Sequence, residues 1–309
     1  MMAKALVIGE VCIDVLVKNP ESVAVKGIPV WAEDIVLRLG GSATYVSQGL
    51  TSLGIDVSMR GVAGSDSFTS DSLLKLKQTG IDIHSIKILP DKSSSTCVGI
   101  IGTGIKKKFV GCSPFKPFTS DMFEDNAEGI DLVYFGGYLI YPELWDGILE
   151  NYFRRIHSHA ITVLDTQMLP IPPEHYAEDA LRPALLSEVD VLLVDRREAL
   201  VLTESINPEI AAQKLLDLGP KLVIVKLGED GCLLANGQEM QYFSTKSIIS
   251  VEPIGAGDFF GSAISYGLIQ KWKIEKTCKF ANAFAALCVS RTSDQLPGLE
   301  QTQESANNI

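Results

Sequence analysis

Val189-Asp190-Val191-Leu192-Leu193-Val194 runs directly into Asp195-Arg196-Arg197-Glu198. The apolar part barely alternates with polar residues, so a strand made from it has both faces covered, as in a parallel sheet packed between helices. Ala5–Ile8, Leu132–Phe135, Ile161–Leu164 and Leu222–Leu227 have the same character. Between such runs lie segments of helical period: Ala43, Val46, Leu50 and Leu53 fall on one stripe, and Phe260, Ala263, Ile264, Gly267 and Leu268 on another. Strand alternating with helix predicts an α/β fold, doubly wound, with a mainly parallel sheet flanked by helices. Residues from about 14 to 39 and from about 94 to 113 break this rhythm. They carry β-branched residues and Gly or Pro punctuation without a helical stripe, which predicts a small β appendage assembled from two separated segments. The 309 residues suggest about two domains by length alone, but one α/β unit over 1–309 with that appendage accounts for them better. The polar tail Gln301–Ile309 is expected to fray.

Composition narrows the function. Apolar residues make up 46% and charged residues 21%, values of a chain with a substantial core rather than a disordered one. Lys+Arg 27 against Asp+Glu 38 leaves a net charge of −11, which argues against nucleic acid and against an anionic membrane surface, both of which require clustered cations. No apolar run approaches the ~20 residues of a membrane span, and the first residues lack a cleavage-like site, so a cytoplasmic protein is expected. The six cysteines are dispersed without a C-x-x-C, which points to free thiols rather than a disulfide framework or zinc site. His157 and His159, beside Arg154 and Arg155, read as a solvated helix end.

Open parallel sheets bind ligands at the carboxyl ends of their strands. Asp14 follows the first strand, Asp165 and Asp195 follow two later ones, and Lys226 precedes Gly228. Each Asp alone reads first as a turn or helix cap; the concentration of these polar groups on one edge is what marks a site. The sharpest segment is Gly255-Ala256-Gly257-Asp258-Phe259-Phe260-Gly261, immediately before a helical stripe. Small residues there let a ligand approach the backbone, and the free N–H groups of a helix start bind anions. Asp258 has two readings that local sequence leaves level: a carboxylate favoured by the helix dipole, or a general base beside an anion nest. Gly40-Gly41 reads as a bend where the appendage rejoins the core, and Gly228-Glu229-Asp230-Gly231 as a hairpin turn. Lys106-Lys107-Lys108 is either a solvated hairpin tip or a group that meets phosphate. A P-loop, a G-x-S-x-G elbow and a dinucleotide-binding glycine fingerprint after the first strand are missing, which removes three common enzyme classes.

In this order, Asp14, Gly40-Gly41-Ser42-Ala43-Thr44-Tyr45, Asp195-Arg196-Arg197-Glu198, Val225-Lys226-Leu227-Gly228-Glu229-Asp230-Gly231, Gly255-Ala256-Gly257-Asp258 and the late Ala281-Asn282-Ala283-Phe284 give the chain a resemblance to the ribokinase-like (PfkB) family of carbohydrate and nucleoside kinases, over nearly its whole length. The resemblance implies ATP-dependent phosphorylation of a hydroxyl on a sugar or sugar-like molecule, with Mg²⁺. It implies that Asp258 takes the hydroxyl proton and that the amides of Gly255, Ala256, Gly257 and Asp258 receive the phosphoryl charge. Asp195, Lys226, Gly228, Gly231 and Asn282 would serve the nucleotide, Glu198 the Mg²⁺ indirectly, and Asp14, Gly41, Tyr45 and Asp165 the sugar. Residues 14–39 and 94–113 would form a lid and a homodimer contact.

Four departures from the family pattern stand out. Tyr45 replaces a common Asn and offers a ring for stacking, which keeps a nucleoside kinase as the alternative. Asp195 replaces Asn, and Lys226 replaces Thr. Glu252-Pro253-Ile254 replaces Asp-Thr-Thr, which leaves a monovalent cation such as K⁺ open. Together these also leave a non-catalytic binder of nucleotide or sugar as a second alternative.

Overall fold

All five unalternated runs form strands in the computed structural model, which describes residues 3–20, 29–102, 105–113, 116, 118–167, 179–246, 248–291 and 295–308. In chain order the elements are β1 (Lys4–Ile8), β2 (Cys12–Lys18), β3 (Asp34–Gly40), α1 (Ser42–Ser52), β4 (Asp56–Gly64), α2 (Ser67–Gln78), β5 (Asp82–Leu89), β6 (Ser95–Gly102), β7 (Ile105–Cys112), β8 (Leu132–Gly136), α3 (Ile148–Ile156), β9 (Ile161–Asp165), α4 (Pro183–Leu186), β10 (Val191–Asp195), α5 (Arg196–Leu202), α6 (Pro208–Asp217), β11 (Leu222–Lys226), β12 (Cys232–Asn236), β13 (Met240–Phe243), α7 (Ala256–Ile269), α8 (Ile274–Val289) and α9 (Leu299–Ala306). Short 3₁₀ turns join several of them.

The large sheet has nine strands in the order β13-β12-β11-β10-β9-β8-β1-β4-β5. Strands β5 to β11 of this sheet pair in parallel, and β12 and β13 add an antiparallel edge. Successive residues along a strand point to opposite faces, and both faces are apolar. Leu193, Tyr134 and Ile224 enter one buried cluster with α1, α7 and α8; Leu192, Val194 and Val225 enter another with α3, α5 and α6. This double coverage is why the runs read as continuous. Strand β10 begins at Val191 rather than Val189, because the Asp190 carboxylate accepts the Thr162 N–H at 2.8 Å and so ends the apolar register.

The two segments outside the rhythm form a second sheet, ordered β3-β2-β6-β7. Its pattern differs from the large sheet. Cys12, Asp14 and Leu16 on β2 are buried, while Ile13, Val15 and Val17 between them are only half-buried, and Ile35, Leu37 and Val110 are 58%, 51% and 66% exposed. One face therefore looks to the body of the protein and the other to solvent. The C-terminal tail departs from expectation: it forms α9, held by Thr302, which is buried and donates its hydroxyl to the Gly298 carbonyl at 2.8 Å. No helix among the described residues is long and apolar enough to cross a membrane.

Candidate active site

The start of α7 is built on backbone freedom. Its N-cap, Gly255, has φ 82°, a left-handed conformation that costs glycine little, and a β-carbon there would stand 3.1 Å from Tyr45 Cγ. Glycine also brings no capping side chain, and among the described residues none caps this end, which leaves the first-turn N–H groups of Ala256, Gly257 and Asp258 without a side-chain partner, the condition under which a helix start can receive an anion. Ala256 and Gly257 line a cavity of about 840 Å³, together with Lys226, Gly228, Gly231 and Asn282.

Asp258 sits buried in that same first turn, one residue beyond the cavity-lining Gly257. Its Oδ1 accepts a hydrogen bond from Ser42 Oγ at 2.6 Å and another from Gln167 Nε2 at 3.2 Å. Burial, and then the nearby Asp165 carboxylate, push its pKa up to about 7, while the Ser42 hydroxyl and the Lys226 ammonium pull the other way. A carboxylate held near neutrality and fixed by two donors is suited to accept a proton at physiological pH.

Behind it lies a buried ion pair. Lys226 Nζ donates to both oxygens of Asp165 at 2.8 Å, and Tyr134 donates its hydroxyl to Asp165 Oδ2 at 2.7 Å. Asp165 is 0% exposed. The resemblance implies a place for it on the sugar side; here both of its oxygens accept hydrogen bonds from within the protein. Burial disfavours the Lys226 ammonium, but Asp165 and Glu198 outweigh it and raise its pKa above that of an ordinary lysine. Lys226 Nζ lies 3.4 Å from where a β-carbon on Gly257 would stand, which places a fixed cation beside the first turn of α7.

Asp195 and Glu198 engage each other. Asp195 Oδ1 accepts the Glu198 N–H at 2.7 Å, and Glu198 Oε2 accepts the Asp195 N–H at 2.8 Å, a reciprocal capping box that starts α5. Thr166 adds its hydroxyl to Glu198 Oε2 at 2.6 Å. Burial foremost raises the Glu198 pKa to about 7, against the pull of Lys226. Gly228 and Gly231 lie in the turn between β11 and β12, which confirms the hairpin reading, and Asn282 on α8 donates to the Phe243 carbonyl at 2.8 Å. The Lys106-Lys107-Lys108 run falls on β7, and its side chains lie outside the described residues.

Among the residues expected to meet the sugar, Asp14 stands on β2 of the smaller sheet. Its carboxyl packs onto Gly40, where a β-carbon would come within 2.3 Å of it, and a β-carbon on Gly41 would meet the Glu10 carbonyl at 2.3 Å. The glycine pair thus serves close approach as well as a bend. Tyr45 is 3% exposed. It donates its hydroxyl to Asp14 Oδ2, accepts from Arg38 Nε at 2.9 Å, and holds the Arg38 guanidinium 5.1 Å from its ring centroid with Phe259 edge-on at 5.6 Å. The ring that sequence offered for stacking on a ligand is already packed.

Sequence reading missed four contributors. Ser42 and Gln167 bond Asp258, and Tyr134 bonds Asp165, from partners 31 to 216 positions away that carry no local signal. Glu10 is the fourth, its pKa raised by burial against the hydroxyls of Ser95, Tyr141 and Ser113. The reading of Asp195 as a helix cap, by contrast, matches the structure, where Glu198 completes the capping box.

The model of the pfkB family carbohydrate kinases matches residues 2–302. A 6-phosphofructokinase from Thermoanaerobacterium thermosaccharolyticum is 25% identical over 250 residues, covering 80% of this chain and 77% of its own. A 5-dehydro-2-deoxygluconokinase from Geobacillus thermodenitrificans is 25% identical over 290 residues, covering 88% and 85%. The structure of an Arabidopsis thaliana ribokinase complexed with ribose and ATP superposes with a TM-score of 0.80 at 19% identity, covering 99% of each chain. With a family match across nearly its full length and a ribokinase-like fold to go with it, this chain belongs to the pfkB family of carbohydrate kinases.

Proposed function

We propose that Asp258 is the general base in transfer of the γ-phosphoryl of ATP to a hydroxyl of a sugar or sugar-like acceptor, with the amides of Gly255 to Asp258 and the Lys226 ammonium holding the charge that develops. The observation that carries this reading is that a carboxylate titrating near 7 shares the first turn of α7 with a helix start that has no side-chain cap, next to a fixed lysine, the helix start and the lysine both lining one cavity. The cavity, about 840 Å³, is of a size to take a nucleotide, and Gly228, Gly231 and Asn282 on its wall would hold it. Among the described residues no group of three or more His, Cys, Asp or Glu side chains could by itself hold a metal ion, which suits a Mg²⁺ carried on the nucleotide phosphates, with Asp195 and Glu198 acting at a distance. When bound, Mg²⁺ supplies charge neutralisation on those phosphates.

The acceptor sits, in this reading, against Asp14 and Gly41, under the smaller sheet acting as a lid that excludes water. The Asp14 and Glu10 carboxylates and the net charge of −11 support a neutral polyhydroxylated acceptor over an anionic one. The apolar outer face of the lid, with Ile35, Leu37 and Val110, supports a homodimer formed through it. The test is an ADP-release screen over pentoses, hexoses, sugar acids, sugar phosphates and nucleosides, with Asp258→Asn as the blank. Acceptor-dependent ADP release confined to the wild type is expected. Near-normal turnover in Asp258→Asn, or no acceptor that stimulates release, overturns the assignment.

A further inference from the structure

Glu252 stands three residues before Gly255 and is 5% exposed. Its backbone is pinned to the end of α8, where Val251 and Glu252 both donate to the Val289 carbonyl at 2.8 and 3.0 Å. Its side chain reaches the other way, into the smaller sheet. One carboxylate oxygen pairs with Arg38 on β3, and the other accepts from Lys18 Nζ on β2 at 3.3 Å. A buried carboxylate without partners is costly, so these two cations from the lid are what keep the charge at this position.

The contacts continue on both sides. Lys18 lines the same cavity as Ala256 and Gly257. Arg38 donates Nε to Tyr45, Tyr45 donates to Asp14, and the Tyr45 ring underlies Gly255. A continuous chain of charge and hydrogen bonds thus runs from the lid strands through Glu252 to the loop bearing the anion site, and returns through Tyr45 to Asp14.

We infer that Glu252 is a positioning residue: its carboxylate latches the lid to the anion-site loop, so that an acceptor seated against Asp14 is sensed where the phosphoryl group is received. The latch stands on the geometry alone; the coupling rests on the kinase reading above. Glu252 touches neither reacting atom, and it acts through Arg38, Lys18 and the short run to Gly255.

Hydrogen exchange on the full-length protein tests the latch without any ligand. In Glu252→Gln, the amides of residues 34–40 and of residues 251–256 are expected to exchange together, at least about tenfold faster than in the wild type, with β10 and β11 unchanged. Acceleration confined to one of the two segments overturns the latch. Coupling is read from ADP release with ATP alone and with ATP plus the acceptor that the screen identifies. Glu252→Gln is expected to lower the ratio of acceptor-dependent to acceptor-free release by about tenfold, whereas an unchanged ratio marks a purely structural ion pair and overturns the coupling. Lys18→Met removes one cation and leaves Arg38 in place; it should fold even where Glu252→Gln does not, and shift both readouts in the same direction by about threefold. Asp258→Asn separates the two readings: it should abolish transfer yet keep wild-type exchange in both segments. If no acceptor stimulates ADP release in the wild type, the kinase reading and the coupling fall together, and the exchange pattern alone decides the latch.

Discussion

The two sheets solve burial differently. The nine-stranded sheet is sealed between two apolar layers, and its charged residues at the site, Asp165 and Lys226, are paired with each other inside the body. The four-stranded sheet covers one face and leaves Ile35 and Leu37 on the other to solvent, and two of its charged residues, Lys18 and Arg38, reach across to a partner on a different segment, Glu252. A sheet packed on both faces is a rigid platform on which a base and a cation keep their places. A sheet packed on one face, held across its margin by ion pairs, needs less rearrangement to move. Under the proposed function, chemistry sits on the first and closure falls to the second.

The harshest test of this division is Asp258→Asn, which should lower kcat by about 10³-fold while the circular dichroism spectrum stays native; a lid substitution of equal effect would blur the contrast. Lys226→Met comes next, because it leaves the Asp165 carboxylate buried without its cation. Chemical denaturation should show a loss of about 3–5 kcal/mol, and a neutral result would mean that the pair is not locked in the platform. Leu193→Ala on β10 should cost about 2–5 kcal/mol, whereas Leu37→Ala on the open face of β3 should change stability by less than about 0.5 kcal/mol; equal losses would erase the difference between the sheets.

The fourth test is pH. Asp258 and Glu198 each titrate near 7 in the folded state, above ordinary carboxylates, chiefly through burial. Between about pH 4 and 7 the folded protein therefore holds protons that the unfolded chain has released, so this contribution is complete below pH 4 and is lost as pH rises through 7. Asp258→Asn should flatten that slope, gaining about 1–3 kcal/mol on the wild type between pH 5 and pH 8 in unfolding titrations. A parallel pair of profiles would show that the group does not titrate there. The smallest effect expected is that of Ile35→Ser on turnover, within about twofold, measured at protein concentrations that hold the oligomeric state constant.

What could be read from sequence follows the same division. Runs such as Val191–Val194 announce themselves because burial on both faces removes polar residues from them, and Gly255–Asp258 because a close backbone approach excludes side chains. Strand β4 was not legible: Asp56-Val57-Ser58-Met59-Arg60-Gly61 mixes polar with apolar residues, and the Arg60 side chain is drawn to the Met122 carbonyl at 2.9 Å. The network around the site was beyond reach for another reason. Lys18 and Glu252 lie 234 positions apart, and Ser42 and Asp258 lie 216 apart, so nothing local distinguishes either pair from ordinary surface residues. The departure at Tyr45 is visible in the sequence as an oddity, but its partner, Arg38, sits on a strand whose only sequence signal is β-branching.

Strand β1 lies between β4 and β8, with Ala5 paired to Val57 on one side and to Leu132 on the other. As the chain leaves the ribosome, β4 emerges early enough to close one edge of β1, but the other edge stays open until the segment ending at Gly136 has been made. For that interval an apolar strand destined for the middle of the sheet is an unpaired edge, the feature by which nascent chains stick to one another. Codon usage and chaperone contact between residues 64 and 132 would then bear on yield, independently of how well the finished enzyme is packed.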